Sequence, residues 1–256
     1  MALSASALAG RTALITGASS GLGRHMAKLA AAAGARVVAG ARRIDRLESL
    51  AQEVKAAGGA LIPVALDVES ESSIKAAFDE AESAFGTVDT VIANAGLNAA
   101  GSALDLDADA LDQLLRVNIR GVYLTAREAA RRLIDTKKAE SGRIILLGSV
   151  GSLRPLAGLT AYSMSKAAVA MMGKGLAREW ARYGVTVNTI CPGWIVTELN
   201  EEWLAGEGGQ KLVKTFPRRR AMKPGDLDGT VLFLASDASA AVTGAVVSID
   251  EGQALA

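Results

Sequence analysis

The chain of 256 residues has one cysteine, Cys191, and one histidine, His25. A lone thiol closes no internal disulfide, so the expected compartment is a reducing one, the cytoplasm. His25 has no Cys, His or carboxylate cluster around it in sequence, which argues against a zinc site and against a Ser–His triad, and no metal is assigned. Excess charge is missing as well: 28 Lys and Arg stand against 27 Asp and Glu, leaving a net charge of +1. No global field therefore recruits nucleic acid or an anionic bilayer, and neither is expected as a partner. No apolar run reaches the ~20 residues that a membrane span needs, since even Ala-rich 27–35 contains Lys28 and Gly34. The first ten residues lack a basic cluster and have a broken apolar stretch, so they are expected to be a loose lead-in and not a signal peptide.

What is present is apolar material for a sizeable core, at 50% hydrophobic residues. Short β-rich runs at 12–16, 36–40, 60–66, 87–93, 142–148, 185–190 and 245–249 alternate with helical patterns at 22–33, 43–57, 70–85, 107–136, 160–183 and 224–236. The strand runs are almost continuously apolar, as strands buried on both faces require, so a parallel sheet covered by helices on both sides is predicted. With no repeat and no Gly/Ser/Pro linker, residues 1–256 are expected to form a single α/β domain, a doubly wound Rossmann-type fold with a seven-stranded sheet. The rhythm breaks at 194–223, which contains Trp194, Trp203, three glycines and Pro217-Arg218-Arg219-Arg220. Lying beyond the carboxyl end of the sixth strand, it is expected to be a lid over substrate, with a mobile surface loop as the plainer alternative.

Directly after the first strand comes Thr16-Gly17-Ala18-Ser19-Ser20-Gly21-Leu22-Gly23, opening into a helix. Gly17 permits a tight turn, Gly21 lets backbone N–H groups approach a pyrophosphate, and Gly23 allows close helix–strand packing. At the end of the second strand, where an acidic residue would bind ribose hydroxyls and mark NAD, stands Ala41. Arg42 and Arg43 follow, and a guanidinium fork suits a 2′-phosphate, so NADP(H) is expected in preference to NAD(H).

Tyr162 and Lys166 lie four residues apart, one turn of the predicted helix, which places an ammonium near a phenol. The positive charge is expected to lower the phenol's pKa from ~10 toward a range useful for acid–base catalysis, with Ser149 holding the same substrate oxygen. Alone, the pair is equally compatible with a tyrosine at a helix edge and a snorkelling lysine.

Taken in order, these motifs resemble those of the short-chain dehydrogenase/reductases over essentially the whole chain. Asp67-Val68 is similar to the family's adenine contact, and Asn94-Ala95-Gly96 to the segment steadying the central sheet beside the cofactor. Asn118, in Val-Asn-Ile-Arg-Gly, resembles the active-site asparagine that completes a tetrad with Ser149, Tyr162 and Lys166. Pro192-Gly193, with Ile195 and Thr197, resembles the stretch lining the nicotinamide. Two departures stand out: Ala93 replaces the first residue of Asn-Asn-Ala-Gly, and Asp250-Glu251-Gly252 stands where relatives carry Asp-Gly-Gly. The resemblance implies hydride transfer between nicotinamide and a carbonyl or secondary alcohol, with Tyr162 as acid–base. It further implies Lys166 on the nicotinamide ribose, Ser149 on the substrate oxygen, Asn118 anchoring a water-linked relay, and a homotetramer built through 107–136, 160–183 and the last strand.

Val150, Leu156, Trp194 and Trp203 are the expected substrate contacts beside Ser149 and Tyr162, with Leu97, Leu153, Leu159 and Leu199 as further candidates. They suggest a small apolar or aromatic carbonyl compound. The alternative is 3-oxoacyl-thioester reduction, with Arg218, Arg219 and Arg220 meeting an acidic carrier. A different class of reading is a catalytically silent protein that senses the cofactor.

Overall fold

A computed structural model describes residues 6–198 and 200–255; Leu199, a candidate substrate contact, falls outside them. Seven parallel strands form one sheet in the order β3-β2-β1-β4-β5-β6-β7. They are β1 Thr12–Thr16, β2 Arg36–Ala41, β3 Ala60–Ala65, β4 Thr90–Ala93, β5 Arg143–Leu147, β6 Thr186–Pro192 and β7 Val246–Ile249. The predicted α/β class, strand number and direction all hold. β4 begins three residues later than predicted, and just before it the Asp89 carboxylate accepts from Thr12 N–H and Arg11.

Strand side chains alternate between two cores. Ile15, Val37, Ile145 and Ile190 face Met26 of α1 (Gly21–Ala32), Leu47 and Leu50 of α2 (Ile44–Ala56) and Val231 of α9 (Asp228–Ala235). Leu14, Val38, Val91 and Leu146 face Phe78 of α3 (Glu71–Phe85), Ala126 of α5 (Val122–Asp135) and Val169 of α6 (Thr160–Trp180). Burial on both faces of the inner strands explains why their runs lack polar alternation, while the edge strands β3 and β7 are only partly buried. The chain leaves β1 for β2 on one side and returns to pair β4 on the other, so a crevice opens at the carboxyl ends of β1 and β4.

The stretch 107–136 is not one helix. α4 (Ala108–Leu115) passes into a π-helical segment, Arg116–Gly121, before α5 resumes. Asn118 lies in the wide turn, which is pinned by tertiary hydrogen bonds that a helical apolar pattern does not encode. The segment 194–223 is also more ordered than an irregular loop. It forms α7 (Glu201–Ala205) and α8 (Glu207–Thr215), and α7 packs so close to Gly209 that a Cβ there would lie 2.4 Å from the Leu204 Cα.

Candidate active site

The crevice is a cleft of about 630 Å³ running from the Gly-rich turn past Lys166 to Trp194. At the turn, Gly17 and Gly21 have φ of +70° and +52°, which side chains with a Cβ disfavour. A Cβ on Gly23 would lie 2.4 Å from the Gly17 carbonyl oxygen, so close packing requires glycine there. Ser20 precedes α1 in extended conformation without capping it through its side chain, which leaves the helix N-terminus open to an anion. Asn94 closes the base of the turn: its Nδ2 donates to the Thr16 carbonyl at 2.9 Å, while its N–H donates to Thr16 Oγ1 at 3.0 Å. The single Asn therefore makes these contacts although Ala93 precedes it. Asp67, Val68, Ala95 and Gly96 line the cleft beyond β3 and β4, as do Pro192, Gly193, Ile195 and Thr197 beyond β6.

The two arginines after β2 divide. Arg43 donates to Ser19 Oγ (2.9 Å) and Ser20 Oγ (2.8 Å), bracing the turn. Arg42 is exposed on the cleft wall and makes no hydrogen bond or ion pair among the described residues. With Ala41 small and buried, no carboxylate occupies the end of β2. Glycines without room for a Cβ, an open helix N-terminus and a cationic rim fit a phosphorylated dinucleotide.

At the other end, Ser149 opens a 3-10 turn, Val150–Ser152. Its Oγ accepts from Gly151 N–H at 3.1 Å, and Ser152 Oγ accepts from Ser149 N–H at 3.1 Å. Ser152 in turn donates to the Lys166 carbonyl at 2.7 Å, tying the serine's turn to α6. Lys166 is buried, with Nζ donating to the Leu147 carbonyl at 2.8 Å and lying 5.8 Å from the Tyr162 ring centroid. The expected lowering of the phenol's pKa by this lysine is not what the environment produces. Burial pushes Tyr162 up, a hydrogen bond with Ser149 opposes the rise, and burial pushes the Lys166 ammonium down to about 8. The discrepancy arises because helical spacing fixes the neighbours and says nothing about how much water surrounds them.

Asn118 is fully buried. Its Oδ1 accepts from Leu97 N–H (2.7 Å), and its Nδ2 donates to the Leu97 carbonyl (2.9 Å) and Ser165 Oγ (3.0 Å). Gly96 lies between it and Lys166: a Cβ there would be 3.3 Å from Asn118 Oδ1 and 3.4 Å from Lys166 Nζ. All four tetrad candidates thus gather within one neighbourhood.

Val150, Leu156 and Trp194 line the cleft as expected, joined by Leu97 and Leu159. Trp203 does not line it; it is half exposed and stacks on Trp194 with centroids 5.4 Å apart. Leu153 is exposed and outside the cleft. Arg218 and Arg220 are ion-paired with Glu251, Arg219 between them is exposed, and none of the three lines the cleft. Residues missed in the sequence include Asn98 and Asn200 on the cleft wall and Leu147, whose carbonyl holds Lys166; isolated asparagines and a backbone oxygen leave no motif.

A family model described as enoyl-(acyl carrier protein) reductase matches residues 17–254. D-threitol dehydrogenase of Mycolicibacterium smegmatis is 35% identical, over 96% of this chain and 93% of its own length. The 3-oxoacyl-(acyl-carrier-protein) reductase FabG of Thermotoga maritima is 33% identical, over 96% of this chain and 98% of its own. Among solved structures, a gluconate 5-dehydrogenase from Burkholderia cenocepacia J2315, in complex with NADP and tartrate, superposes with a TM-score of 0.92 at 34% identity, covering 100% of both chains.

Proposed function

The chain belongs to the short-chain dehydrogenase/reductase family, oxidoreductases of alcohol and carbonyl groups that use a nicotinamide cofactor, and from that premise we propose an NADPH-preferring carbonyl reductase with Tyr162 as acid–base. One observation carries the reading: Ser149, Tyr162 and Lys166 converge at one end of a cleft whose other end is the Gly-rich turn and Arg42. Bound nicotinamide would supply or accept the hydride at the substrate carbon. Ser149 holds the substrate carbonyl by donation, since a carbonyl oxygen can only accept, while Gly151 N–H on Ser149 Oγ fixes the hydroxyl's position. Tyr162, kept protonated at neutral pH by burial, gives its proton to that oxygen in reduction and takes it back in oxidation. Lys166 would hold the nicotinamide ribose, and Asn118 would anchor the relay that returns the proton through Lys166.

Ala41 and Arg42, which has no partner among the described residues, support a 2′-phosphate, and the Burkholderia neighbour bound NADP. Leu97, Val150, Leu156, Leu159 and Trp194 support an apolar or aromatic carbonyl substrate. The charged side chains of the cleft other than Lys166, namely Arg42, Arg43, Asp67 and Glu69, belong to its β2–β3 end. Residues 194–223 would cover that substrate. The Thermotoga relative keeps the 3-oxoacyl-thioester reading in view, but Arg218 and Arg220 are engaged by Glu251. The complete tetrad speaks against a silent sensor. Exposed Met164 and Met171 on α6 and Tyr123 on α5 are consistent with a homotetramer, and the lone buried Cys191 with the cytoplasm.

The test is NADPH and NADH oxidation over ketones, aldehydes, diketones, sugars and 3-oxoacyl thioesters. Catalytic efficiency should favour NADPH by roughly 10-fold or more, the effect of one well-placed charge-assisted pair. A preference for NADH contradicts the cofactor assignment, and activity confined to thioesters contradicts the substrate class.

A further inference from the structure

Both ends of the 194–223 segment are fastened to one short turn at the carboxyl end of the chain. The segment's stems pair with each other: Met222 N–H donates to the Trp194 carbonyl (2.8 Å) and Val196 N–H to the Met222 carbonyl (2.9 Å), with Ile195 and Met222 buried. After β7, residues 250–255 fold into a turn organised by Asp250, whose carboxylate accepts from Gly252 N–H (3.0 Å) and Ala254 N–H (2.8 Å). Gln253 Oε1 accepts from Trp194 N–H at 2.8 Å, and its carbonyl accepts from Arg154 Nη1 at 2.8 Å. That holds the segment's entry and the loop after Ser149 to the same residue. Glu251 takes the exit: its carboxylate pairs with Arg218 at 2.8 Å and with Arg220, while Pro217 packs on Gly252.

Glu251 makes these pairs from an unfavourable backbone. Its φ is +55°, in the left-handed region that suits glycine, yet its side chain is only 10% exposed and meets two guanidinium groups. A glutamate in that conformation gains nothing for the turn itself, so its contribution lies in what the carboxylate holds.

We propose that Glu251 is a positioning residue for the lid: it clasps Arg218 and Arg220 and so fixes the exit of α8, keeping Trp203 stacked on Trp194 at the mouth of the cleft. The proposal rests on the reading that this segment covers the substrate. Arg220 also pairs with Asp226 at 3.2 Å just before α9, which gives the clasp a second anchor in the body of the protein.

Glu251→Gly is the informative variant, because it removes the carboxylate and relieves the backbone at once. Trypsin cleavage after Lys211 and Lys214, in α8 and away from the clasp, should accelerate roughly 5-fold, the population change expected from losing partly exposed charge pairs. The near-UV circular dichroism of the stacked tryptophans should fall, Tm should stay within about 4 °C of the wild type, and Glu251→Asp should lie between. Cleavage and dichroism equal to wild type overturn the proposal, as does acceleration at every site in step with a fall in Tm, which would make Glu251 a general stabiliser. The covering role is read separately, from the KM for acetophenone with NADPH in Trp203→Ala. A raised KM supports it, whereas an unchanged KM removes that reading and leaves the clasp result standing.

Discussion

Burial governs the proton chemistry of Tyr162 and Lys166 more than their mutual spacing does. Desolvation holds the phenol protonated, as suits a general acid in carbonyl reduction, and draws Lys166 down to about 8 from 10.5. Because the folded lysine has the lower pKa, the unfolded chain binds more protons between about 8 and 10.5, and native stability rises with pH across that window. Lys166→Met, which lacks the group, should lack the rise. Between pH ~7.5 and ~10 the unfolding free energy from urea melts is expected to move in the wild type's favour by up to a few kcal/mol. A variant-to-wild-type difference constant over that range would contradict a depressed lysine. The residue types at positions 149, 162 and 166 were legible in the sequence, as was the helix turn shared by Tyr162 and Lys166. Their partners were not, because the Leu147 carbonyl, Ser152 and Gly96 reach them from other elements.

At the scale of elements, the Gly-rich turn was legible because its glycines answer to steric demands that no other residue meets. Gly23→Ala would place a methyl 2.4 Å from the Gly17 oxygen and 2.5 Å from Asn94 Nδ2. It should cost about 1–3 kcal/mol of stability by overpacking and weaken NADPH binding as α1 shifts. Gly208→Ala, in α8 with nothing within 4 Å of its Cβ, should instead be neutral or stabilising by ~0.5–1 kcal/mol. Denaturant midpoints and NADPH titration of the two variants check this, and equal effects would refute the steric account. The π-helical turn at Asn118 was not legible, since one extra residue in a turn leaves the apolar pattern of 107–136 nearly intact. Likewise the glycines of 206–209 read as irregular chain until Gly209 is seen to admit α7 against α8.

Across the whole molecule, a parallel sheet with strand order reversing at β1 and β4 brings Gly17, Gly21, Asn94, Gly96, Ser149, Tyr162, Lys166 and Thr197 to one cleft although they span most of the chain. Continuous apolar strands and intervening amphipathic helices made that architecture readable. The routing of the carboxyl-terminal turn back to Trp194 and Arg220 depends on tertiary contacts that carry no local signal. Hydride transfer in this cleft with Tyr162 as the proton donor is decided by comparing wild type and Tyr162→Phe in carbonyl-dependent NADPH oxidation and in NADPH binding. Binding should be unchanged within about 2-fold and the rate lowered by ~100- to 10,000-fold, the usual worth of a general acid. Near-normal turnover in the variant would contradict that role.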